Sequence, residues 1–559
     1  MAQTDAAPTD RDLASVQEAR TLVQRARLAA PILAEFSQEQ IDRIVDAVAL
    51  AARPRAEEFA RLAVEETGFG VVADKIQKNL FASDRVYEFI RPMKTVGVIA
   101  RDEAKKVFEI AEPFGVVAAI VPSTNPTSTA IYKILIALKA RCPIVISPHP
   151  SAAKCITRVA ELLAEAARGA GAPDGAVNWM TTVTLAGTQE LMQHRGVAVI
   201  LATGGMGLVR AAYSAGKPAY GVGPGNAPCF IERTADVAKA ANDILTGKAF
   251  DNGVLCSSPN SVIVDSAVAE EARRQFVAQG GYFLSPAETD ALSKLLVTPQ
   301  RLPNPKFVGQ SALVIARALG ITVPANTRAL IAELKGVGRD YPLSIEKLCP
   351  VLSYYVVADW REGCERSKEI LRYGGMGHTM SIHSENQQII LEFGLKKPAF
   401  RICVNTPTSF GSIGLSTGLD PAMTLGCGGY GGNITSDNIS PKHLLNIKRL
   451  AWETRPVART SAAAPLASAL PQVPKPPVPA GLDASAMTAR IESLAGTKPA
   501  PAPPAAANQS VAAFVCEDDV RQAITLGRTI TIGERTIVTP LARDAGEAGK
   551  VFVYANWRG

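Results

Sequence analysis

Short apolar segments alternate with helical segments from Val96 onward, and this alternation limits the possible folds more than any other feature of the chain. The runs 113–122 and 143–147 favour strands, and the runs 130–139 and 151–167 favour helices. Strands that alternate with helices are typical of a parallel sheet in a nucleotide-binding domain. We therefore expect an α/β fold with a Rossmann-type nucleotide-binding domain.

The chain of 559 residues is too long for one hydrophobic core and suggests two to four domains, within a division into five segments. Helices over residues 11–66 have the apolar spacing of three and four, and Ser37 and Gln40 have the spacing of a capping box. The expected segments are N-terminal helices with the dinucleotide-binding domain (1–240), an α/β catalytic domain (241–430), a return segment that could serve oligomerisation (431–454), a Pro/Ala-rich linker with a short helix (455–507) and a small C-terminal module (508–559).

The short helix of the linker is expected at residues 484–494, with Met487, Ile491 and Leu494 on one face. Because Pro/Ala-rich runs flank it, this helix has no core of its own to join, so it is either weakly ordered or docked on another surface. In the last segment, a helix is expected to begin near Cys516, and the runs 529–532 and 535–540 alternate like strands around a turn at 533–534. This module is too small for a large core, which favours docking or oligomerisation over catalysis.

Composition excludes several classes of function. Hydrophobic residues make up 47% of the chain and charged residues 20%, as in soluble globular proteins. The net charge of +7 is scattered, whereas nucleic-acid binding needs a concentrated basic face. Nine cysteines without a CxxC pair argue against a disulfide framework and against a metal site. No apolar run approaches the roughly 20 residues that span a bilayer, so we expect a cytoplasmic protein without a membrane partner.

Three local features are candidates for catalytic or ligand-binding residues. Cys256 lies on a Gly/Asn-rich turn directly before an apolar run, so it is either an exposed nucleophile or a small buried hydrophobe. Thr203-Gly204-Gly205 separates a strand from a helix, which suits a pyrophosphate at a helix N-terminus but equally suits tight packing. His378 follows a glycine-rich loop and serves either acid–base chemistry or a structural hydrogen bond.

Together these features resemble an aldehyde dehydrogenase over residues 20–452. More narrowly, the chain resembles the CoA-acylating branch found in bifunctional aldehyde–alcohol dehydrogenases and in enzymes of bacterial microcompartments. The motifs that carry the resemblance are Thr124-Asn125-Pro126-Thr127-Ser128, Ser147-Pro148-His149-Pro150, Thr203-Gly204-Gly205, the runs 212–218, 221–226, 250–256 and 345–352, and Gly377-His378-Thr379.

The resemblance implies a role for each motif. Cys256 would be the nucleophile, and the Asn125 amide with the Cys256 backbone N–H would stabilise the oxyanion. His378 would assist deprotonation of a thiol. The cofactor would be NAD, with NADP as the alternative, and CoA would be the co-substrate. The residues expected to bind the cofactor are Ser147, Pro148, Thr203, Gly204, Gly205, Gly223 and Glu346.

Two departures from the wider family bear on the reaction. Hydrolytic members carry a catalytic glutamate where this chain has Gly221-Val222-Gly223-Pro224-Gly225, so a thiol is favoured over water as the acyl acceptor. Ser147-Pro148-His149-Pro150 replaces the motif Lys-Pro-Ser-Glu, which leaves NAD and NADP undecided. We expect oxidation of a small aldehyde to acyl-CoA. The alternatives are a dehydrogenase that releases a free acid and a microcompartment cargo or adaptor protein with vestigial activity.

The resemblance also implies partners. It indicates a homodimer or a homotetramer. A helix tethered by a Pro/Ala-rich linker is similar to the encapsulation peptides of microcompartment cargo enzymes, so the C-terminal extension could bind a shell protein and place the enzyme inside a microcompartment.

Overall fold

The chain folds into two units, Met1–Val457 and Ala458–Gly559. The computed structural model describes residues 10–456, 511–533 and 536–555. Most of the expected linker, including the helix at 484–494, lies outside the described residues.

Five helices open the first unit: α1 (Arg11–Ala34), α2 (Gln38–Ala52), α3 (Ala56–Thr67), α4 (Val72–Leu80) and α5 (Tyr87–Ile90). The prediction of helices over residues 11–66 is therefore confirmed. The capping box is present as well: Gln40 Oε1 accepts from the Ser37 N–H at 2.8 Å, and the Gln40 N–H donates to Ser37 Oγ at 3.3 Å. A π-helical turn, Phe81–Val86, joins α4 to α5, and the antiparallel strands β1 (Gly97–Asp102) and β2 (Val107–Pro113) follow.

A five-stranded parallel sheet comes next, in the spatial order β5-β4-β3-β6-β7. Its elements along the chain are β3 (Val117–Val121), α6 (Pro126–Lys139), β4 (Ile144–Pro148), α7 (Ala153–Gly169), β5 (Val177–Trp179), α8 (Leu185–Gln193), β6 (Val199–Thr203), α9 (Met206–Tyr213) and β7 (Ala219–Val222). This is the parallel sheet that the alternation of strands and helices predicts. Every residue of α6 is buried, so this helix is central to the core of the unit.

A second parallel sheet has seven strands in the order β10-β11-β12-β9-β8-β13-β14. Its elements are β8 (Ala227–Ile231), α10 (Val237–Ala249), β9 (Pro259–Asp265), α11 (Ala269–Ala278), β10 (Gly281–Phe283), α12 (Pro286–Leu296), α13 (Ala312–Leu319), β11 (Ala329–Glu333), β12 (Val351–Val357), α14 (Trp360–Tyr373), β13 (Gly377–His383), α15 (Gln387–Lys396), β14 (Ala399–Val404) and α16 (Thr408–Gly411). Because β8 belongs to this sheet, the sheet begins before the expected domain boundary at residue 240. The segment 431–454 contains β15 (Leu445–Ala451), which returns to pair with β2 in an antiparallel three-stranded sheet.

The second unit has a small core of its own. Its elements are β16 (Phe514–Val515), α17 (Glu517–Thr525), β17 (Ile530–Ile532), β18 (Ile537–Val538), α18 (Pro540–Ala548) and β19 (Phe552–Tyr554). The helix expected near Cys516 is present, and the Cys516 N–H donates to Asp519 Oδ2 at 2.8 Å at its start. The two expected strands are also present, but β18 pairs with β16 and β17 pairs with β19, both in parallel, because a helix follows β16 and another follows β18. None of the helices in the described ranges combines the length and the apolar character that crossing a membrane requires.

Candidate active site

One cavity of about 450 Å³ collects the predicted site residues at the carboxyl ends of β3, β4 and β6. Parallel α/β sheets bind ligands at this edge, where the loops after the strands converge. All the predicted site residues except His378 line the cavity: Asn125, Ser147, Pro148, Thr203, Gly204, Gly205, Gly223, Cys256 and Glu346.

Cys256 lies between the short turn Phe250–Gly253 and β9, as the sequence pattern predicts. The Ser258 N–H donates to the Leu255 carbonyl at 2.9 Å, and this bond closes the turn that carries the thiol. Seven of the nine cysteines are buried, whereas Cys256 and Cys516 are partly exposed. Among these two, Cys256 faces a cavity, so its thiol is open to a small ligand.

The thiol of Cys256 is protonated at rest. Burial, with smaller contributions from the Glu346 carboxyl and Cys427, raises its pKa to about 12, and Arg401 acts in the opposite direction. Because the thiolate is the reactive form of a cysteine, this raised pKa makes the resting thiol a weak nucleophile at neutral pH.

Asn125 supplies an oriented amide to the same cavity. It is the N-cap residue of α6, and its Oδ1 accepts a hydrogen bond from Lys78 Nζ at 2.6 Å. Its Nδ2 donates to Thr124 Oγ1 at 3.2 Å. Among the described residues no group accepts the second N–H of this amide, which is therefore available to a ligand in the cavity.

Glu346 is the one carboxylate among the described residues that line the cavity. Its Oε1 accepts from the Gly225 N–H at 3.0 Å, and burial raises its pKa to about 8. The turn 221–225 contributes backbone but no acid. A Cβ on Gly225 would lie 2.1 Å from the Cys256 carbonyl oxygen, so glycine is required where the turn packs against the turn that carries the thiol.

The residues after β6 fit a dinucleotide. Gly205 is the N-cap residue of α9 and supplies no side-chain cap, so the first N–H groups of the helix can bind a phosphate. Thr203 Oγ1 is buried without a hydrogen-bond partner among the described residues and lies in the cavity lining. The Ser147 hydroxyl, in contrast, is already paired with Thr188 Oγ1 at 2.9 Å.

His378 does not reach the cavity. It lies in β13, is fully buried, and places Nδ1 2.9 Å from Thr379 Oγ1. Burial, with a contribution from Arg401, lowers its pKa to about 3, so the imidazole is neutral at physiological pH. A Cβ on Gly225 would lie 3.2 Å from the ring, which shows that the ring packs behind the turn 221–225.

Two groups of site residues have no signal in the sequence. Lys78 holds the Asn125 amide and is paired with Asp251, yet a lysine in a helix with other charged residues normally indicates a solvent-exposed face. Apolar side chains also line the cavity from distant parts of the chain: Ile413, Met423 and Leu425. Only the fold brings these residues to the thiol.

Comparison with known proteins identifies the family of the chain. Residues 4–281 match the model of the aldehyde dehydrogenase family. The bifunctional aldehyde-alcohol dehydrogenase AdhE of Escherichia coli K12 is 43% identical over 442 residues, which cover 78% of this chain and 50% of that protein. The chain thus spans about half the length of this relative. Succinate-semialdehyde dehydrogenase (acetylating) of Clostridium kluyveri is 36% identical over 433 residues and is covered over 95% of its length.

Solved structures of aldehyde dehydrogenases are also similar to this chain. An acetylating aldehyde dehydrogenase from Geobacillus thermoglucosidasius is 49% identical with a TM-score of 0.79, covering 80% of this chain and 99% of its own. Propionaldehyde dehydrogenase of Rhodopseudomonas palustris was solved with bound CoA and an acylated cysteine. It is 27% identical with a TM-score of 0.70, and the match covers 78% of this chain and 97% of that protein. The chain belongs to the aldehyde dehydrogenase family. The relatives that match over nearly their whole length include enzymes named as acetylating dehydrogenases.

Proposed function

We propose that the protein oxidises an aldehyde to acyl-CoA, with Cys256 carrying the acyl group between the two half-reactions. The observation that carries this proposal is a partly exposed thiol in a cavity whose neighbouring turn, 221–225, supplies no carboxylate. The acetylating relatives support it. The overall balance is aldehyde plus CoA plus NAD(P)⁺ to acyl-CoA plus NAD(P)H plus one proton.

In the first step the Cys256 thiolate adds to the aldehyde carbon and forms a thiohemiacetal whose oxygen carries negative charge. The free N–H of the Asn125 amide and the backbone N–H of Cys256 would donate to this oxygen. Preorganised donors of this kind are each worth about 10²–10³ in rate. Lys78, which is bound to Asn125 Oδ1, strengthens the amide as a donor.

The residues after β6, together with Glu346, are assigned to cofactor binding. A bound nicotinamide cofactor would supply the hydride acceptor that is needed to oxidise the thiohemiacetal to a thioester on Cys256. Thr203 and the N-terminus of α9 would hold the phosphates, and Glu346 would contact the ribose beside the nicotinamide. We propose NAD as the acceptor, as the resemblance implies, with NADP as an alternative. Glu346 is the one carboxylate in the described cavity lining, so the lining offers no clear selection between the two.

In the second half-reaction the CoA thiol attacks the thioester and frees Cys256. A thiol has a pKa near 8.5 and reacts as thiolate, whereas water has a pKa of about 15.7 and needs a strong base. The turn 221–225 provides no such base, and Glu346 is engaged by the Gly225 N–H. Acyl transfer to CoA is therefore favoured over hydrolysis. The packing of the His378 ring supports a structural rather than a proton-transfer role for that residue.

A second, separate role belongs to the C-terminal unit. Its small core and the Pro/Ala-rich stretch before it suggest attachment rather than catalysis. We propose that the extension binds a partner, with a microcompartment shell protein as the expected one, and that the dehydrogenase unit forms a homodimer or a homotetramer.

The reverse acyl transfer tests the role of Cys256 without the cofactor. Incubation with acetyl-CoA should acylate Cys256 and release one free CoA thiol for each acyl group, which intact-protein mass spectrometry and thiol titration measure. The Cys256→Ala variant should give neither signal. Acylation that persists in this variant would contradict the assignment of the nucleophile.

A further inference from the structure

A buried group of charges lies behind the Asn125 amide. This group, called the Lys78 cluster here, consists of Asp74, Lys75, Lys78 and Asp251. Lys75 and Lys78 are each 2% exposed, and Asp251 is fully buried. Such a group is costly to desolvate and persists only where it is fully paired, so its place beside the catalytic cavity calls for an explanation.

Lys78 determines which end of the Asn125 amide faces the cavity. An ammonium group is a donor only, so the group that it contacts at 2.6 Å must be the amide oxygen. The Nδ2 end then points away from Lys78, with one N–H on Thr124 Oγ1 and the other unpaired among the described residues. If the amide were reversed, its oxygen would face the oxyanion and repel it.

Lys78 also contacts the segment that carries the nucleophile. Its Nζ is ion-paired with Asp251, which lies in the turn five residues before Cys256. Asp251 has a positive φ of 48°, and this strained conformation is held by hydrogen bonds at 2.7 Å from its N–H to Asp74 and from the Val71 N–H to its Oδ1. One ammonium group therefore joins the amide to the turn that leads to the thiol.

We propose that Lys78 is a positioning residue for the acyl-forming step: it fixes the Asn125 amide with its N–H groups toward the oxyanion and holds this amide in register with the Cys256 turn. The inference rests on the proposed function, because it assumes that Asn125 stabilises the oxyanion. Lys78 itself acts through Asn125 and touches no substrate.

Lys75 provides a matched control. It is equally buried and is paired with the same Asp251 oxygen at 2.9 Å, but its second contact is the Thr124 carbonyl at 3.2 Å rather than the Asn125 side chain. Replacing either lysine with methionine removes one positive charge from the Lys78 cluster. Only the replacement of Lys78 releases the amide.

A double-mutant cycle in the full-length protein tests the proposal. Asn125→Ala should lower kcat/KM for the aldehyde about 10²–10³-fold, the cost of a lost oxyanion donor, and Lys78→Met should lower it about 10²-fold. Because both act through one amide, the double variant should be no slower than Asn125→Ala alone. The KM for NAD and for CoA should stay near the wild-type values, and Lys75→Met should keep most of kcat/KM.

Lys78→Gln provides the rescue and guards against misfolding. Its amide can donate to both Asn125 and Asp251, so it should recover about tenfold or more of the kcat/KM lost in Lys78→Met. A cooperative thermal unfolding transition close to that of the wild type would show that each variant is folded. If Lys78→Met is unfolded, the double-mutant cycle is measured with Lys78→Gln and Lys78→Gln/Asn125→Ala. The loss of kcat/KM in this double variant should again be smaller than the product of the losses in the two single variants.

The experiment distinguishes failure of the positioning role of Lys78 from failure of the oxyanion role of Asn125. Effects of Lys78 and Asn125 that multiply, or a Lys75→Met loss as large as that of Lys78→Met, would overturn the positioning role and leave the proposed function intact. Wild-type kcat/KM in Asn125→Ala would instead remove the oxyanion role of Asn125, on which the inference depends.

Discussion

The Cys256 thiol faces the cavity and is kept protonated by burial. Burial raises its pKa to about 12, with the Glu346 carboxyl contributing in the same direction. A thiol held in this state resists oxidation and alkylation at neutral pH.

Alkylation of Cys256 by iodoacetamide in the ligand-free protein should rise about tenfold per pH unit between roughly pH 7 and pH 10, without a plateau, because the thiolate fraction grows in this way below the pKa. Peptide mapping by mass spectrometry separates Cys256 from the partly exposed Cys516. Glu346→Gln should speed the labelling, most clearly above pH 8, since removal of the negative charge lowers the thiol pKa. A plateau near neutral pH would contradict the raised pKa.

His378 links acid pH to stability. Its pKa falls from 6.5 in the unfolded chain to about 3 in the fold, so below pH 6.5 the unfolded chain binds a proton that the folded chain does not. The stability that this group contributes is present above pH 6.5 and is lost as the pH falls toward 3. The difference in unfolding free energy between wild type and His378→Asn should therefore shrink by up to about 1.4 kcal/mol per pH unit in this window.

Urea unfolding of both proteins from pH 7.5 to pH 5 measures this difference. His383, whose pKa is also lowered to about 3 by burial, is present in both proteins and cancels. A difference that stays constant across the range would mean that folding does not lower the pKa of His378.

Among the structural elements, the turn 221–225 is built against the Cys256 turn. Gly225→Ala would place a methyl group 2.1 Å from the Cys256 carbonyl oxygen. We expect a loss of about 1–3 kcal/mol in stability from overpacking and a loss of about 10²-fold in kcat/KM, because the thiol turn must shift. Thermal unfolding and steady-state kinetics measure the two effects.

Gly394→Ala is the matched control for Gly225→Ala. Gly394 lies on an exposed position of α15, and no atom lies within 4 Å of the place that a Cβ would take there, so alanine should stabilise the helix by about 0.5–1 kcal/mol and leave kinetics unchanged. Wild-type activity in Gly225→Ala would show that the two turns are not coupled.

Sequence predicts those parts of the site that are local. Thr203-Gly204-Gly205 and the Cys256 turn could be located because the turn and the element after it are encoded in neighbouring residues. The burial of Lys78 could not be predicted, because it depends on the packing of α4 against α6 and on an acid distant in sequence. His378 could be singled out as a titratable residue, but only the fold shows that Gly225 lies over its ring.

For the chain as a whole, the alternation of strands and helices predicted parallel sheets but not the assignment of each strand. β8 follows β7 after a short turn with no change in composition, so the sequence offered no sign that β8 joins the seven-stranded sheet. The strand pairs of the C-terminal unit were unpredictable for a related reason: each pair joins strands separated by a helix and another strand, so adjacency in sequence is misleading.

Deletion of residues 458–559 should leave the dehydrogenase unit active, since all the cavity residues lie in Met1–Val457. We expect the truncated protein to keep the kcat and KM of the full chain and to lose co-sedimentation with co-expressed shell proteins. Steady-state kinetics and shell purification measure these two results. Co-sedimentation that survives the deletion would remove the attachment role of the C-terminal unit.

The proposed reaction passes the acyl group on Cys256 to a thiol and not to water, and the CoA dependence of turnover is its decisive test. NADH formation from acetaldehyde is followed with and without CoA, and acetyl-CoA and acetate are quantified in the same samples. We expect sustained NADH formation only with CoA, with one acetyl-CoA per NADH, and at most a single turnover without it. Undiminished turnover without CoA, with acetate as the product, would contradict acyl transfer to a thiol.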